Sequence, residues 1–390
     1  MACEQVTLQD VCELIVDCPH TSAKDEGVGY PLIRTPNVGR GRLILTDVHR
    51  VSQDVYERRV SRAVPRQGDL ILAREAPAGN VAIVSPGIEV CLGQRTMLLR
   101  PDSSFVVPEY LNYYLNAPEQ RDRMLRLANG ATVSHINVAD IRNMPVQLPS
   151  RGEQSKVAEL LNVLDDKIDL NNRLNDYLEQ LVDGKFQELF GGLNFNATLS
   201  DVAEITMGQS PAGSSYNEEG AGIIFYQGRG EFGWRFPKRR LYTTEPKRLA
   251  CEGDVLMSVR APVGDLNVAF EKCCIGRGLA TIHSETPSFA LYLMRFLKPQ
   301  LEAYNGEGTV FGSINGKALK SLEVALPSHN EVMQFESFAA PIDALIRSNE
   351  NETRKLNNLR NYLLPKLMSG EIDVSKVDLT QLTNNHLADY

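Results

Sequence analysis

The sequence predicts an α+β chain: two tandem mixed α/β domains separated by two long helices that pair as an antiparallel coiled coil, with pseudo-twofold symmetry. Three observations lead there. Gly68-Asp69-Leu70-Ile71 returns as Gly253-Asp254-Val255-Leu256, and Pro77 and Gly79 return as Pro262 and Gly264, all displaced by 185 residues. Gly130, Ile136 and Asn137 return as Gly308, Ile314 and Asn315, displaced by 178, and that displacement also carries Leu148-Pro149-Ser150 onto Leu326-Pro327-Ser328. After each Leu-Pro-Ser string the apolar spacing turns helical. A repeat this long exceeds a solenoid unit, so each copy is a domain plus a connector. The plan is a domain over 1–147, a helical connector over 148–190, a domain over 191–325, a connector over 326–372 and an acidic tail over 373–390.

Within the first domain, Leu70–Ala73 and Val81–Val84 read as strands flanking a Pro77/Gly79 turn. Pro108–Asn116 and Pro118–Ala128 read as helices, each with proline at its first position. The second domain repeats the plan with strands Val255–Val259 and Leu266–Ala269 and one helix over Phe289–Tyr304. In the first connector apolar residues fall at Val157, Leu160, Leu161, Leu164, Ile168, Leu174, Leu178 and Leu181. In the second they fall at Phe335, Phe338, Ile342, Leu345, Ile346, Leu356, Leu359 and Leu363. Steps of three and four mark amphipathic helices with a coiled-coil seam. Leu164, Ile168, Asn171 and Leu178 should meet Ile342, Ile346, Asn349 and Leu356. Asn171 and Asn349 occupy matching seam positions, where a buried Asn fixes register at a cost in stability. A helix of about 35 residues spans roughly 50 Å, about one and a half turns of B-DNA.

The chain is 43% hydrophobic, enough for two cores over 390 residues. Its apolar runs are too short to cross a membrane, and Met1-Ala2-Cys3-Glu4-Gln5 lacks the basic and apolar regions of a signal peptide. Seven cysteines without a C-x-x-C pair fit reduced thiols in a cytosol. The net charge of −8 hides an uneven distribution. Arg34 to Arg74 holds nine arginines against four acids, and Arg229 to Arg248 holds seven basic residues against two. The acidity lies in the connectors, so each domain can still offer an anion a local cationic surface.

Motifs for chemistry are missing. Gly312-Ser313-Ile314-Asn315-Gly316-Lys317 has the wrong spacing for a P-loop and is followed by Ala318. There is no G-x-G-x-x-G opening a helix, no H-E-x-x-H and no Asn/Asp-Pro-Pro-aromatic string of amino-methyltransferases. The six histidines show no ligand spacing, and Cys18-Pro19-His20 reads as an ordinary turn.

The duplicated layout resembles the specificity (DNA-sequence-recognition) subunits of type I restriction–modification enzymes, in which two target recognition domains alternate with two helical regions. Leu363-Leu364-Pro365-Lys366-Leu367-Met368-Ser369-Gly370-Glu371-Ile372 is similar to the ending of the family's second helical region. Leu148-Pro149 and Leu326-Pro327 resemble its helix starts. Ser258 to Gly264 and Tyr30-Pro31-Leu32-Ile33-Arg34-Thr35 resemble its recognition-domain strings. The first copy departs where Ala73-Arg74-Glu75-Ala76-Pro77-Ala78-Gly79 stands opposite Ser258 to Gly264, which sets Glu75 against Arg260.

The resemblance implies a non-catalytic subunit that reads a bipartite, asymmetric site in double-stranded DNA, one half per domain. It implies assembly with two methyltransferase subunits, through the helices, and with motor-nuclease subunits, in a bacterial or archaeal cytoplasm. This chain then needs no cofactor or metal; S-adenosylmethionine, ATP and Mg belong to the partners. The alternative class is a methyltransferase or nuclease with unrecognised motifs. Base readout needs Arg, Lys, Asn or Gln on purine edges, and phosphates need cations or backbone N–H groups. The candidates are Arg34, Asn37, Arg40, Arg42, Arg74 and Arg95 in the first domain. In the second they are Gln227, Arg229, Arg239, Arg240, Arg260 and Arg277, with Trp234 and Phe236 available to pack on sugar or a thymine methyl. Arg58, Arg59, Arg62 and Arg66 read as a solvated or phosphate-facing helix. Ser134-His135-Ile136-Asn137 and Gly312-Ser313-Ile314-Asn315 either bind a phosphate or shape a turn. The acidic helix faces are either docking surfaces or simply solvated.

Overall fold

The computed structural model describes residues 4–128, 135–306 and 312–376. Gly130, Ser134, Gly308 and the tail from 377 onward lie outside the described residues. The chain divides into two compact units, with breaks between Asp169 and Leu170 and between Glu352 and Thr353. These breaks fall inside the two long helices, Arg151–Phe190 and His329–Met368, each of 40 residues. Each unit therefore owns one mixed domain and part of each helix, which a division into consecutive segments does not express.

In the first unit the main sheet runs Cys12–Asp17, Thr96–Pro101, Leu70–Ala73, Val81–Ile83, Gly41–Arg42, antiparallel except for its last pair. In the second unit the corresponding sheet runs Glu204–Met207, Leu279–His283, Val255–Ser258, Leu266–Val268, antiparallel throughout. Leu70 pairs with Leu99 as Val255 pairs with Ile282. A parallel pair recurs as well, Tyr30–Ile33 beside Cys91–Leu92 and Ile223–Tyr226 beside Cys273–Ile275. The repeated turn chemistry has a backbone reason. Gly68 and Gly253 lie at φ +86° and +87°, and Gly79 and Gly264 at +80° and +87°, a region closed to most side chains. The bonds before Pro77 and Pro262 are both cis.

The sequence-predicted helix over Phe289–Tyr304 is two helices, Pro287–Phe296 and Lys298–Glu302. Pro299 cannot donate to the helical ladder, so the chain breaks at Leu297 and restarts. The two first-domain helices occupy Pro108–Asn116 and Pro118–Leu127.

Both long helices start on the same device. The Ser150 N–H and Oγ donate to Glu153 Oε2 at 3.0 and 2.7 Å, and the Glu153 N–H returns to Ser150 Oγ at 3.4 Å. Ser328 and Glu331 repeat this at 2.8, 2.6 and 3.4 Å. Each pair is a capping box that satisfies otherwise orphaned N–H groups. Each unit then buries one turn of this helix start under its sheet: Val157 and Leu161 in the first, Phe335 and Ala339 in the second. Leu363, Leu364 and Leu367 join the first core, and Val182, Phe186 and Phe190 join the second, where Phe186 and Phe335 meet edge to face at 5.3 Å.

Within each unit the two helices run antiparallel. Arg360 donates to Asp165 at 2.7 Å in the first unit. In the second, Asn171 donates to Glu352 at 2.7 Å and Asn349 to Asn175 at 2.8 Å. Leu164, Ile168, Asn171, Ile346 and Asn349 are buried, while Leu178, Ile342 and Leu356 are half-buried. The matched asparagines do not bond each other. Asn349 takes Asn175, one turn beyond Asn171, because equivalent positions of an antiparallel pair meet only at the crossing point, which lies about two residues beyond Asn171. Leu174 and Leu181, counted in the seam from their spacing, are exposed instead, as are Phe338, Leu345 and Leu359. Replacing the helix cap, Ser328→Ala, should lower the stability of the second unit by about 1 kcal/mol. Urea unfolding followed by Trp234 fluorescence measures it, and an unchanged midpoint would contradict the capping assignment.

Candidate nucleic-acid interface

Three of the first domain's candidate readers are structural. Asn37 is buried; its Oδ1 accepts from the Arg34 N–H at 3.2 Å and its Nδ2 donates to the Ile44 carbonyl at 3.1 Å, fastening the loop to itself. Arg74 donates to Asp17 at 2.7 and 2.8 Å and to the Ile136 carbonyl at 2.9 Å, with its side chain 13% exposed. Arg42 is spent on the first long helix, pairing with Asp166 at 2.5 Å and with Asp169. Beside this pair Tyr113 donates to Asp165 at 2.7 Å; burial, with Asp165 second, pushes the phenol above its usual range.

Arg34 is half-buried, and its Nε finds no partner among the described residues. Arg95 is exposed but bonded to Glu75 at 2.7 Å. Arg40 is exposed, and its charge bears on Arg121 of the Pro118–Leu127 helix, whose pKa is lowered by burial first and then by Arg40. Neither Arg40 nor Arg121 has an acidic partner among the described residues, as is also true of the exposed Arg58, Arg66 and Arg126. Arg121 was not singled out because a helical position gave no sign of it.

The second unit brings four candidates together. Gln227, Arg229, Arg260 and Arg277 line one concavity of about 330 Å³, with Ser210, Ser258 and the Gly228 and Gly230 backbone. Arg260 and Arg277 are exposed and have no acidic partner among the described residues. Arg229 pairs with Asp265 at 3.0 Å while remaining 48% exposed. Arg239 and Arg240 are not part of this group: they pair with Glu271 at 2.6 Å and with Glu231 at 2.8 Å. Phe236 is buried edge to face against Phe270 at 5.2 Å, so it cannot pack on DNA; Trp234 is exposed, with Arg235 over its ring at 5.6 Å.

Sequence reasoning passed over Arg235, the most buried cation of the basic segment. It is 4% exposed and donates to Asp343 at 3.1 Å, Glu179 at 3.2 Å and Tyr292 Oη at 3.1 Å, joining the domain to both long helices of its unit. Arg295 adds bonds to Asp183 at 2.6 Å and Glu179 at 2.9 Å, and Arg347 reaches out from the second helix to Glu252 at 2.6 Å. The helix acids at these places are neither free docking surface nor merely solvated. Arg59 is also a correction: it is buried and donates to the Leu92 and Thr21 carbonyls at 2.8 and 2.5 Å. Asn315 caps the following short helix by accepting from the Ala318 N–H at 2.9 Å, and Ile136 and Ile314 are buried, which favours turns over phosphate sites.

The family model described as the type I restriction modification DNA specificity domain matches residues 2–180 and again 196–361. The chain is 31% identical to the protein of Methanocaldococcus jannaschii that bears the name MjaX specificity subunit of a type I restriction enzyme, across 94% of this chain and 93% of that one. It is 22% identical to the type I restriction enzyme EcoKI specificity subunit of Escherichia coli K12, across 90% and 86%. The solved type I restriction–modification S subunit from M. genitalium shares the fold at a TM-score of 0.62 and 15% identity, covering 94% of this chain and 96% of that one. The chain belongs to this family of specificity subunits, the non-catalytic DNA-recognition subunits of type I systems.

The two kinds of arginine should separate by stability. Arg74→Ala leaves the half-buried Asp17 only the exposed His20 at 3.1 Å and the Cys18 N–H at 3.0 Å and should cost about 1–3 kcal/mol, whereas Arg260→Ala should stay within about 0.5 kcal/mol of the wild type. Urea unfolding by circular dichroism distinguishes them, and equal losses would contradict the sorting.

Proposed function

We propose that this specificity-family chain reads a two-part, asymmetric DNA site, one half per domain, and holds partner methyltransferase subunits on its helices. In the second unit the reading surface is the concavity of Gln227, Arg229, Arg260 and Arg277. The observation that carries the reading is the pair of exposed, unneutralised guanidinium groups at one hollow beside an amide side chain. Guanidinium and amide groups can each make two bonds to a purine edge, and the hollow's backbone N–H groups suit phosphate. In the first unit Arg40 and Arg121 take the cationic role. The adenine to be methylated is flipped into a partner's pocket, and S-adenosylmethionine, ATP and Mg belong to the partners, with the assembly working in the cytoplasm.

The partner surface follows from what the fold leaves bare. Leu170, Leu174, Tyr177 and Leu181 are exposed at steps of four, three and four along the first long helix, a single apolar stripe. A methyltransferase subunit's helix laid along it would bury what the second long helix does not.

Mapping methylated adenines in DNA from cells expressing the chain with its partner should give a two-part site with a fixed gap. Arg260→Ala with Arg277→Ala should degrade one half only and lower the slope of log affinity against log salt by about 1 to 2. Loss of both halves together, or an unaltered map, would contradict the assignment. Leu174→Asp with Tyr177→Asp should abolish co-purification of the methyltransferase without changing the chain's own unfolding midpoint. Retained co-purification would remove the stripe from consideration.

A further inference from the structure

The two copies differ at one charged corner. In the first unit Asp69 accepts from the Arg66 N–H at 2.9 Å and is held by Arg100 at 2.9 and 2.8 Å. In the second unit Asp254 occupies the same place, accepting from the Cys251 N–H at 2.7 Å, with His283 Nδ1 at 2.6 Å. The equivalence is fixed by the sheet. Cys251 and Arg66 both stand three residues before the acid, and His283 and Arg100 each follow the strand residue paired with Val255 or Leu70. Around an acid that both copies keep, the first unit has Arg66, through its backbone N–H, and Arg100, where the second has Cys251 and His283.

The Sγ of Cys251, a carboxylate oxygen of Asp254 and an imidazole nitrogen of His283 all lie within 4.8 Å of one another. We propose that these three side chains bind one divalent transition-metal ion of the zinc class, which supplies the positive charge that Arg100 supplies in the first unit. A thiolate, an imidazole and a carboxylate make a mixed donor set suited to zinc and unsuited to magnesium or calcium. Ligand atoms about 2.0–2.3 Å from a shared ion lie roughly 3–4 Å apart, so shifts of about an ångström close the site. The ion takes the place of the proton between His283 and Asp254. Cys251 is exposed and the His283 side chain is 49% exposed, so the ion enters from solvent and water completes its shell. It would fasten the turn at 251–254 to the end of the Leu279–His283 strand, a structural role consistent with a non-catalytic chain.

The other described thiols do not compete. Burial, with the Asp102 and Asp69 charges behind it, pushes Cys12 up to about 12, and burial pushes Cys91 up to about 11, so both stay protonated at neutral pH. Cys18, Cys273 and Cys274 are buried.

The test uses the full chain, stripped with a chelator and titrated with Co²⁺. One Co²⁺ per chain should bind with a thiolate-to-metal charge-transfer absorption, and Zn²⁺ should displace it. Cys251→Ser should abolish that absorption. Cys251→Arg with His283→Arg restores the first unit's residues; it should keep the wild-type melting curve and bind no ion. The proposal is overturned if the wild type takes up no Co²⁺, or if the charge-transfer absorption survives in Cys251→Ser or in the double-arginine variant.

Discussion

The fold depends on cations of the domains being sunk into acids of the long helices. Arg235 is the extreme case, 4% exposed and answered by Asp343, Glu179 and the Tyr292 hydroxyl. Arg42 makes a more exposed contact of the same kind in the other unit, its side chain 38% exposed against Asp166 and Asp169. A buried ion pair adds little net stability compared with an apolar pair, but stranding one partner costs several kcal/mol. Such contacts therefore specify how a helix seats on its domain more than they strengthen it. They also sort the cations. Arginines bonded to helix acids are poorly placed for a polyanion, and the exposed Arg260 and Arg277 are the ones on which the proposed reading surface rests.

Duplication shows which features the architecture requires and which are open to change. Both copies keep the left-handed glycines, the acid three residues after Arg66 or Cys251, and the capping box at the helix start. The carbonyl of Arg74 accepts from Ile136 as that of Val259 accepts from Ile314, so the backbone tie is the same while the side chain is not. Arg74 makes a polar fastening to Asp17, whereas Val259 packs into the apolar core. The exposed arginine then appears one residue later, as Arg260, where the first copy has Glu75 bonded to Arg95. The two domains share a frame and differ at the surface that would meet bases.

Much of this frame was legible in the sequence, because its signals are local. Glycine and proline act within a few residues, and with the repeated Leu-Pro-Ser strings they located the strands, the turns and both helix starts, although the Ser-x-x-Glu caps at those starts went unread. The break at Leu297 was also written locally, in Pro299, but the apolar pattern across it concealed it. The fate of individual arginines was not legible. Arg42 finds its acid 127 residues away, and Arg235 finds its two acids 56 and 108 residues away. No property of the basic segment itself distinguishes Arg235, which is buried, from Arg239 and Arg240, which face solvent. Likewise spacing alone gave Leu174 and Leu181 to the helix seam, although the fold turns them outward.

The most direct measurement is a double-mutant cycle between Arg235 and Asp343. Trp234, the chain's single tryptophan, lies beside Arg235 and reports on the unfolding of its unit. Unfolding free energies of the wild type, Arg235→Met, Asp343→Asn and the double variant give the coupling directly. Seating of the helix by this pair predicts a coupling of about 1.5–3 kcal/mol; a value below about 0.5 kcal/mol would contradict it.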